Sequence, residues 1–177
     1  GTFKQITSGP IGQVAAICEA FGWADYDSDG YLDLFVANGG GGALANNFLY
    51  RNKGDGTFQK ITSGAVVEDV GTGRGCAWGD FNNDGYLDLV VANRNSYFPN
   101  FLYQNNGDGT FTRITAASLS ELADSFSASW ADYDNDGFLD LLLLNGPDQK
   151  RLLYHNNGNG TFTAITSGSL VNAPGAN

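Results

Sequence analysis

One nine-residue acidic loop occurs three times in this chain, which points to an architecture built from a repeated unit. The copies are Asp25-Tyr26-Asp27-Ser28-Asp29-Gly30-Tyr31-Leu32-Asp33, Asp80-Phe81-Asn82-Asn83-Asp84-Gly85-Tyr86-Leu87-Asp88 and Asp132-Tyr133-Asp134-Asn135-Asp136-Gly137-Phe138-Leu139-Asp140. Side-chain oxygens stand at loop positions 1, 3, 5 and 9, and glycine stands at 6. The loops hold 11 of the 19 acidic residues. Like charges at such spacing repel unless something compensates them. Calcium takes about six to eight hard oxygen ligands at roughly 2.3–2.6 Å. Positions 1, 3 and 5 offer three ligands. The main-chain carbonyl of position 7 (Tyr31, Tyr86, Phe138) adds a fourth, and the Asp at 9 closes the shell. Glycine at 6 allows the sharp turn round an ion. A single acidic loop would read as a solvated turn; three in register predict three calcium sites.

An EF-hand is excluded. Its loop ends in a bidentate Glu at position 12 and lies between helices, whereas position 12 here is Val36, Val91 or Leu143. Each loop runs into a short apolar segment, 34–38, 89–93 or 141–145, that ends in Asn. These segments read as buried strands.

The repeat extends beyond the loop. Trp23, Trp78 and Trp130 each stand two residues before the first Asp. After each apolar strand and a variable loop come Asn47–Asn52, Asn100–Asn105 and Arg151–Asn156, each with a central Leu-Tyr pair. Gly-Asp-Gly-Thr-Phe or Gly-Asn-Gly-Thr-Phe turns follow at 54–58, 107–111 and 158–162. Asn or Asp beside Gly accepts positive φ, a strong hairpin signal. A last strand begins at Phe58, Phe111 and Phe162. Each unit is thus four strands in 51–55 residues. That composition and period predict an all-β fold of β-propeller blades: three four-stranded antiparallel repeats, with the acidic loop between the first and second strands. The Trp residues are expected to pack between blades. Expected boundaries are 1–17 for an outer strand and linker of a preceding blade, 18–66, 67–118 and 119–168 for three blades, and 169–177 for a tail.

The pattern Trp-x-Asp-x-Asx-x-Asp-Gly-x-x-Asp-Leu, with its downstream Asn-Gly-Asp-Gly-Thr-Phe turn, resembles the FG-GAP/VCBS repeats found in integrin α-subunit propellers and in many secreted bacterial proteins. The resemblance covers nearly the whole chain. It implies calcium at each loop. The ligands carried over are Asp25, Asp27, Asp29, the Tyr31 carbonyl and Asp33; Asp80, Asn82, Asp84, the Tyr86 carbonyl and Asp88; and Asp132, Asp134, Asp136, the Phe138 carbonyl and Asp140. Asn82 removes one negative charge, so the second site is expected to be the weakest. Propellers have about four to eight blades. Three repeats therefore predict part of a larger ring or assembly, with self-association through the open edge blades as one route to it.

The net charge of −10 argues against nucleic acid, whose phosphates require Lys and Arg. No apolar run is long enough to span a membrane. Extracellular calcium modules bind in the range of about 10⁻⁴–10⁻³ M, which predicts an extracellular, secreted or cell-surface location. Cys18 and Cys76 occupy different repeat positions; one disulfide and two buried thiols both remain open. Asn159-Gly160-Thr161 is a glycosylation sequon, but its Asn already has a role in the turn.

No catalytic constellation is recognisable. The single His, His155, takes a repeat position held elsewhere by Arg51 and Gln104 and reads as an ordinary strand-end residue. Gly71-Thr72-Gly73-Arg74-Gly75 precedes a strand rather than a helix, so it fails as a phosphate loop. Loops between second and third strands vary, and binding usually sits on variable loops of a rigid scaffold. Arg94, Tyr97 and Phe98 are the candidates there. The favoured reading is a non-enzymatic, calcium-binding extracellular module for adhesion or for binding a protein or glycan. The alternatives are a structural subunit that self-associates into a ring or filament, and the propeller portion of a carbohydrate-active enzyme.

Overall fold

The computed structural model describes residues 2, 5, 7–12, 16–40, 44–94, 98–115, 119, 122–146, 149 and 151–172. Gly1, Phe3, Lys4 and Ile6 of the expected opening strand lie outside the described residues, as does 173–177 of the tail.

Three four-stranded antiparallel sheets form from the three repeats. The first contains β1 (Cys18–Ala24), β2 (Asp33–Asn38), β4 (Phe48–Asn52) and β5 (Phe58–Ile61). A short β3 (Ala45–Asn46) lies between β2 and β4 in the chain and pairs with β6 (Val70–Gly71). The second sheet contains β7 (Gly73–Gly79), β8 (Asp88–Asn93), β9 (Phe101–Asn105) and β10 (Phe111–Ile114). The third contains β11 (Ser125–Ala131), β12 (Asp140–Asn145), β13 (Leu152–Asn156) and β14 (Phe162–Ile165). Within each sheet the strands follow chain order, as short loops and hairpin turns dictate. This all-β arrangement is consistent with β-propeller-like repeats.

The sheets meet along their first strands, with β1 beside β7 and β7 beside β11. Two apolar layers result. Phe35, Ala37 and Leu49 of the first sheet pack against Leu89, Val91 and Tyr103 of the second. Val90, Ala92 and Leu102, on the other face of the second sheet, pack against Leu141, Leu143 and Tyr154 of the third. Alternate residues of β8 thus serve opposite layers, and all of Asp88–Asn93 is buried. Trp78 meets Phe35 of the preceding sheet edge-on at 6.2 Å, and Trp130 stacks on Phe81 at 5.9 Å, in keeping with a packing role.

Three features were not legible beforehand. Each first strand carries a register shift, between Cys18 and Ala20, Gly73 and Gly75, and Ser125 and Ser127. The connection after β5 contains a helical turn, α1 (Ala65–Glu68), that buries Val66 and Val67. A similar turn, α2 (Ser169–Asn172), follows β14 and buries Val171. Cys18 and Cys76 are free thiols, the first exposed and the second half-buried. The disulfide alternative is therefore not realised, and of the two-buried-thiols alternative only Cys76 comes near. Asn159 Oδ1 accepts from the Thr161 N–H at 3.1 Å, the turn role expected of it. No helix among the described residues is long and apolar enough to cross a membrane.

Candidate functional site: three acidic loops

Each acidic loop joins the first and second strands of its sheet, and the three share one internal wiring. The position-1 carboxylate holds the turn: Asp25 Oδ1 accepts from the Asp29 N–H at 3.0 Å and Oδ2 from the Gly30 N–H at 2.9 Å. Asp80 does the same for Asp84 and Gly85, and Asp132 for Asp136 and Gly137. The position-5 Oδ1 accepts from the position-7 N–H in all three. The backbone is left-handed at position 6, with φ of 90–93°, and also at position 4, where Ser28, Asn83 and Asn135 have φ of 59–61°. The position-4 turn was missed in sequence; Asn at two of the three positions was its available signal, because Asn tolerates this region.

Position 9 is set differently. Asp33, Asp88 and Asp140 are buried. Asp33 Oδ2 accepts from the Tyr26 N–H at 3.2 Å and Oδ1 from the Asn52 N–H at 2.7 Å. Asp88 is held the same way by Phe81 and Asn105, and Asp140 by Tyr133 and Asn156. Each position-9 carboxylate thus ties its loop to the end of the third strand. Burial pushes the Asp33 carboxyl up to about 6 and that of Asp88 up to about 7, with the neighbouring loop carboxylates adding to the rise and the backbone N–H bonds opposing it.

The terminal Asn of the third strand also reaches the preceding sheet. Asn105 Nδ2 donates to the Tyr26 carbonyl at 2.7 Å, and Asn156 Nδ2 to the Phe81 carbonyl at 2.7 Å. Adjacent loops are therefore coupled through buried amides. Asn83 Nδ2 adds a surface link to the Gly137 carbonyl at 2.9 Å. The position-7 ring fills the space above the first glycine of the downstream turn: a Cβ on Gly107 would lie 2.6 Å from the Tyr86 ring.

The donor set fits a hard cation. Asp25, Asp27 and Asp29 offer carboxylate oxygens that all lie within 4.8 Å of one another, as do Asp132, Asp134 and Asp136. Ligands on opposite sides of one calcium ion are about 4.8 Å apart. In the second loop Asn82 Nδ2 donates to Asp84 Oδ2 at 2.8 Å, which relieves repulsion within the loop.

In the first and third sheets, one residue of the third strand faces the loop. With Leu34 paired to Tyr50, the next pair outward is Asp33 and Arg51. Arg51 Nε lies 2.5 Å from Asp27 Oδ2, and Nη2 lies 2.9 Å from Asp29 Oδ2. His155 occupies the same place at the third loop, its Nδ1 3.1 Å from Asp134 Oδ2 and 3.3 Å from Asp140 Oδ1. The strand register was the signal that could have found both.

Of the other candidates, Arg94 and Phe98 follow β8 at the opposite end of the sheets. Arg94 lies 3.9 Å from Glu19, which also pairs with Arg74 at 3.2 Å. Phe98 is half-buried, and Tyr97 lies outside the described residues.

Residues 25–91 and 80–143 match the FG-GAP-like repeat. Cartilage acidic protein 1 of Xenopus tropicalis is 40% identical over 126 residues, which are 68% of this chain and 19% of that protein. The proteins of the same name from Homo sapiens and Mus musculus are 37% and 36% identical over 117 residues, 64% of this chain and 17% of theirs. The chain spans less than a fifth of the length of these relatives. The repeats, the sheets they form and the shared loops agree: this chain belongs to the FG-GAP-like repeat family.

Proposed function

We propose that the chain is a calcium-stabilised, non-enzymatic β-propeller-like module that works outside the cell as a scaffold for binding a protein or glycan. The observation that carries this reading is the threefold recurrence of one loop, whose carboxylates in the first and third copies converge at the spacing of a single hard cation. Asp25, Asp27, Asp29 and Asp33, with the Tyr31 carbonyl, would hold the first ion. Asp80, Asn82, Asp84 and Asp88, with the Tyr86 carbonyl, would hold the second, and Asp132, Asp134, Asp136 and Asp140, with the Phe138 carbonyl, the third. A bound ion supplies two positive charges, and three ions raise the net charge of −10 to −4. Repulsion in the loops falls accordingly. The relatives' name associates them with cartilage and acidity, which agrees with an acidic chain placed in millimolar extracellular calcium. Variable loops such as that of Arg94 are the part free to bind a partner.

Thermal unfolding in millimolar calcium and again in chelator tests the reading. At tenfold excess over Kd each site adds roughly 1.4 kcal/mol, so three sites raise Tm by about 10 °C. Calorimetric titration should give a stoichiometry near three. Identical unfolding curves in both buffers would remove the stabilising role.

A second reading has its own support. Phe21 is 69% exposed and Trp23 48% exposed, and with Leu34, Val36, Phe48 and Tyr50 they line an apolar groove on the free face of the first sheet. Their counterparts in the second and third sheets pack against a neighbouring sheet. Another repeat sheet, from a longer chain or a second copy, would complete this face. Light scattering of the chain in calcium distinguishes the two sources: a monomer leaves only a longer chain.

A further inference from the structure

We infer that the three acidic loops load their ions cooperatively, and that Asn105 and Asn156 are the positioning residues that couple each loop to the next. The inference rests on the reading of the loops as cation sites and adds how one site regulates another.

A single run of hydrogen bonds crosses all three sheets. It starts at the position-9 carboxylate of the first loop, where Asp33 Oδ2 accepts from the Tyr26 N–H at 3.2 Å. The carbonyl of Tyr26 accepts from Asn105 Nδ2 at 2.7 Å. The Asn105 N–H in turn donates to Asp88 Oδ1, the position-9 carboxylate of the second loop, at 2.8 Å. The pattern then repeats. Asp88 Oδ2 accepts from the Phe81 N–H at 3.1 Å, the Phe81 carbonyl from Asn156 Nδ2 at 2.7 Å, and Asp140 Oδ1 from the Asn156 N–H at 2.8 Å. Asp140 Oδ2 closes the run on the Tyr133 N–H at 3.1 Å. Every residue of the run from Asp33 to Asp140 is at most 3% exposed.

Burial makes this run stiff, because a group that turned away would be left unpaired in the interior. The Asn105 side chain has no spare freedom: its Nδ2 also meets the Leu87 carbonyl at 3.1 Å, and its Oδ1 accepts from the Gly107 N–H at 3.0 Å. Tyr26 and Phe81 stand at position 2 of their loops, between the ligand positions 1 and 3. Asn105 therefore holds the backbone that carries Asp25 and Asp27 with one group, and the Asp88 carboxylate with another. When Asp88 is ordered as a ligand, Asn105 is ordered with it. The first loop then has less freedom left to lose on binding, which is positive coupling. The effect is reciprocal, and Asn156 does the same between the second and third loops. These two loops carry one more link, from Asn83 Nδ2 at position 4 to the Gly137 carbonyl at 2.9 Å. The first loop has the shorter Ser28 at that position. Coupling between the second and third loops should therefore exceed that between the first and second.

Gly30, Gly85 and Gly137 supply one backbone amide resonance per loop, so a calcium titration followed by ¹H–¹⁵N NMR reads the three midpoints separately. Asp134→Ala removes a ligand of the third loop and lies outside the run. It should raise the calcium midpoint at Gly85 about fivefold or more and move that at Gly30 less. With Asn156→Ala in place, adding Asp134→Ala should leave the Gly85 midpoint where Asn156→Ala alone puts it. A Gly85 midpoint that ignores Asp134→Ala in the otherwise unchanged chain overturns the proposal and leaves the calcium reading standing. A shift that survives in the Asn156→Ala background overturns the assignment of the coupling to that amide. Should Asn156→Ala not fold, Asn83→Ser at the surface takes its place and should shrink the effect at Gly85; an undiminished effect overturns the surface link and the ranking built on it. Resonances of all three glycines unmoved by calcium remove the underlying reading as well.

Discussion

Trp23 and Trp78 hold the same place in adjacent repeats, yet only one is a core residue. Trp78 lies against Phe35 of the first sheet and Phe111 of its own. Trp23 has, among the described residues, a ring contact with Phe58 of its own sheet alone, at 6.1 Å, and is 48% exposed. The same split separates β2 from β8. Every residue of β8 is buried between two sheets, while Val36 of β2, facing an open groove, is only half-buried. The repeat encodes a two-faced sheet, and burial follows from which neighbours are present. An identical motif therefore predicts chemistry at a position but not its energetic weight.

The sharpest break in this comparison comes from truncating the two tryptophans. Trp78→Ala should cost about 3 kcal/mol by opening a cavity between sheets, and Trp23→Ala less than about 1 kcal/mol. Urea unfolding of both variants measures the difference. If another sheet covers the first one in a longer chain, the cost of Trp23→Ala should rise there towards that of Trp78→Ala.

The terminal asparagines give the next contrast. Asn105→Ala removes the buried bonds to Tyr26 and Leu87 and should cost about 2 kcal/mol. Asn52 bonds to Leu32 within its own sheet, at the surface, and its truncation should cost about half as much. Equal losses for the two would show that the inter-sheet amide contributes nothing.

A smaller effect is expected at the loops. Arg51→Gln removes the resident cation of the first loop. An exposed ion pair is worth about 0.2–1 kcal/mol, so calcium affinity there should rise roughly two- to fivefold, as read by calorimetric titration. No gain would mean that the guanidinium swings clear when the ion arrives.

The cysteines extend the comparison with no visible effect at neutral pH. Burial pushes the Cys76 thiol up to about 12 from an ordinary value near 9.0. The folded state thus favours the neutral thiol. The associated stability is complete below pH 9 and is lost as pH rises towards 12. At pH 8 a maleimide should label exposed Cys18 and spare Cys76 until the chain unfolds; equal labelling rates would contradict the burial of Cys76.

Much of the fold was legible because it repeats. Short continuous apolar runs in 34–38 and 89–93, Gly-Asp-Gly turns and loop glycines each specify backbone locally, so four strands per repeat followed directly. The register shifts in β1, β7 and β11 were not legible, since a bulge is settled by how first strands crowd together. The helical turn at Ala65–Glu68 was hidden because its reason is tertiary: Val66 and Val67 close the layer between the first two sheets. In the acidic loops the wiring of positions 1 and 5 was implicit in residue type and spacing. The roles of Arg51 and His155 were not, because they lie 18 and 15 residues beyond the position-9 Asp they face and meet it only across strands.

Sequence alone determined the unit: its strands, its turns, its acidic loop and its all-β class, because these depend on side-chain period and on backbone preferences within a few residues. Tertiary structure alone decided which tryptophan is core, which carboxylate is buried, and whether a loop faces guanidinium, amide or imidazole. Burial and charge pairing are properties of neighbours, and neighbours are assigned only when sheets pack.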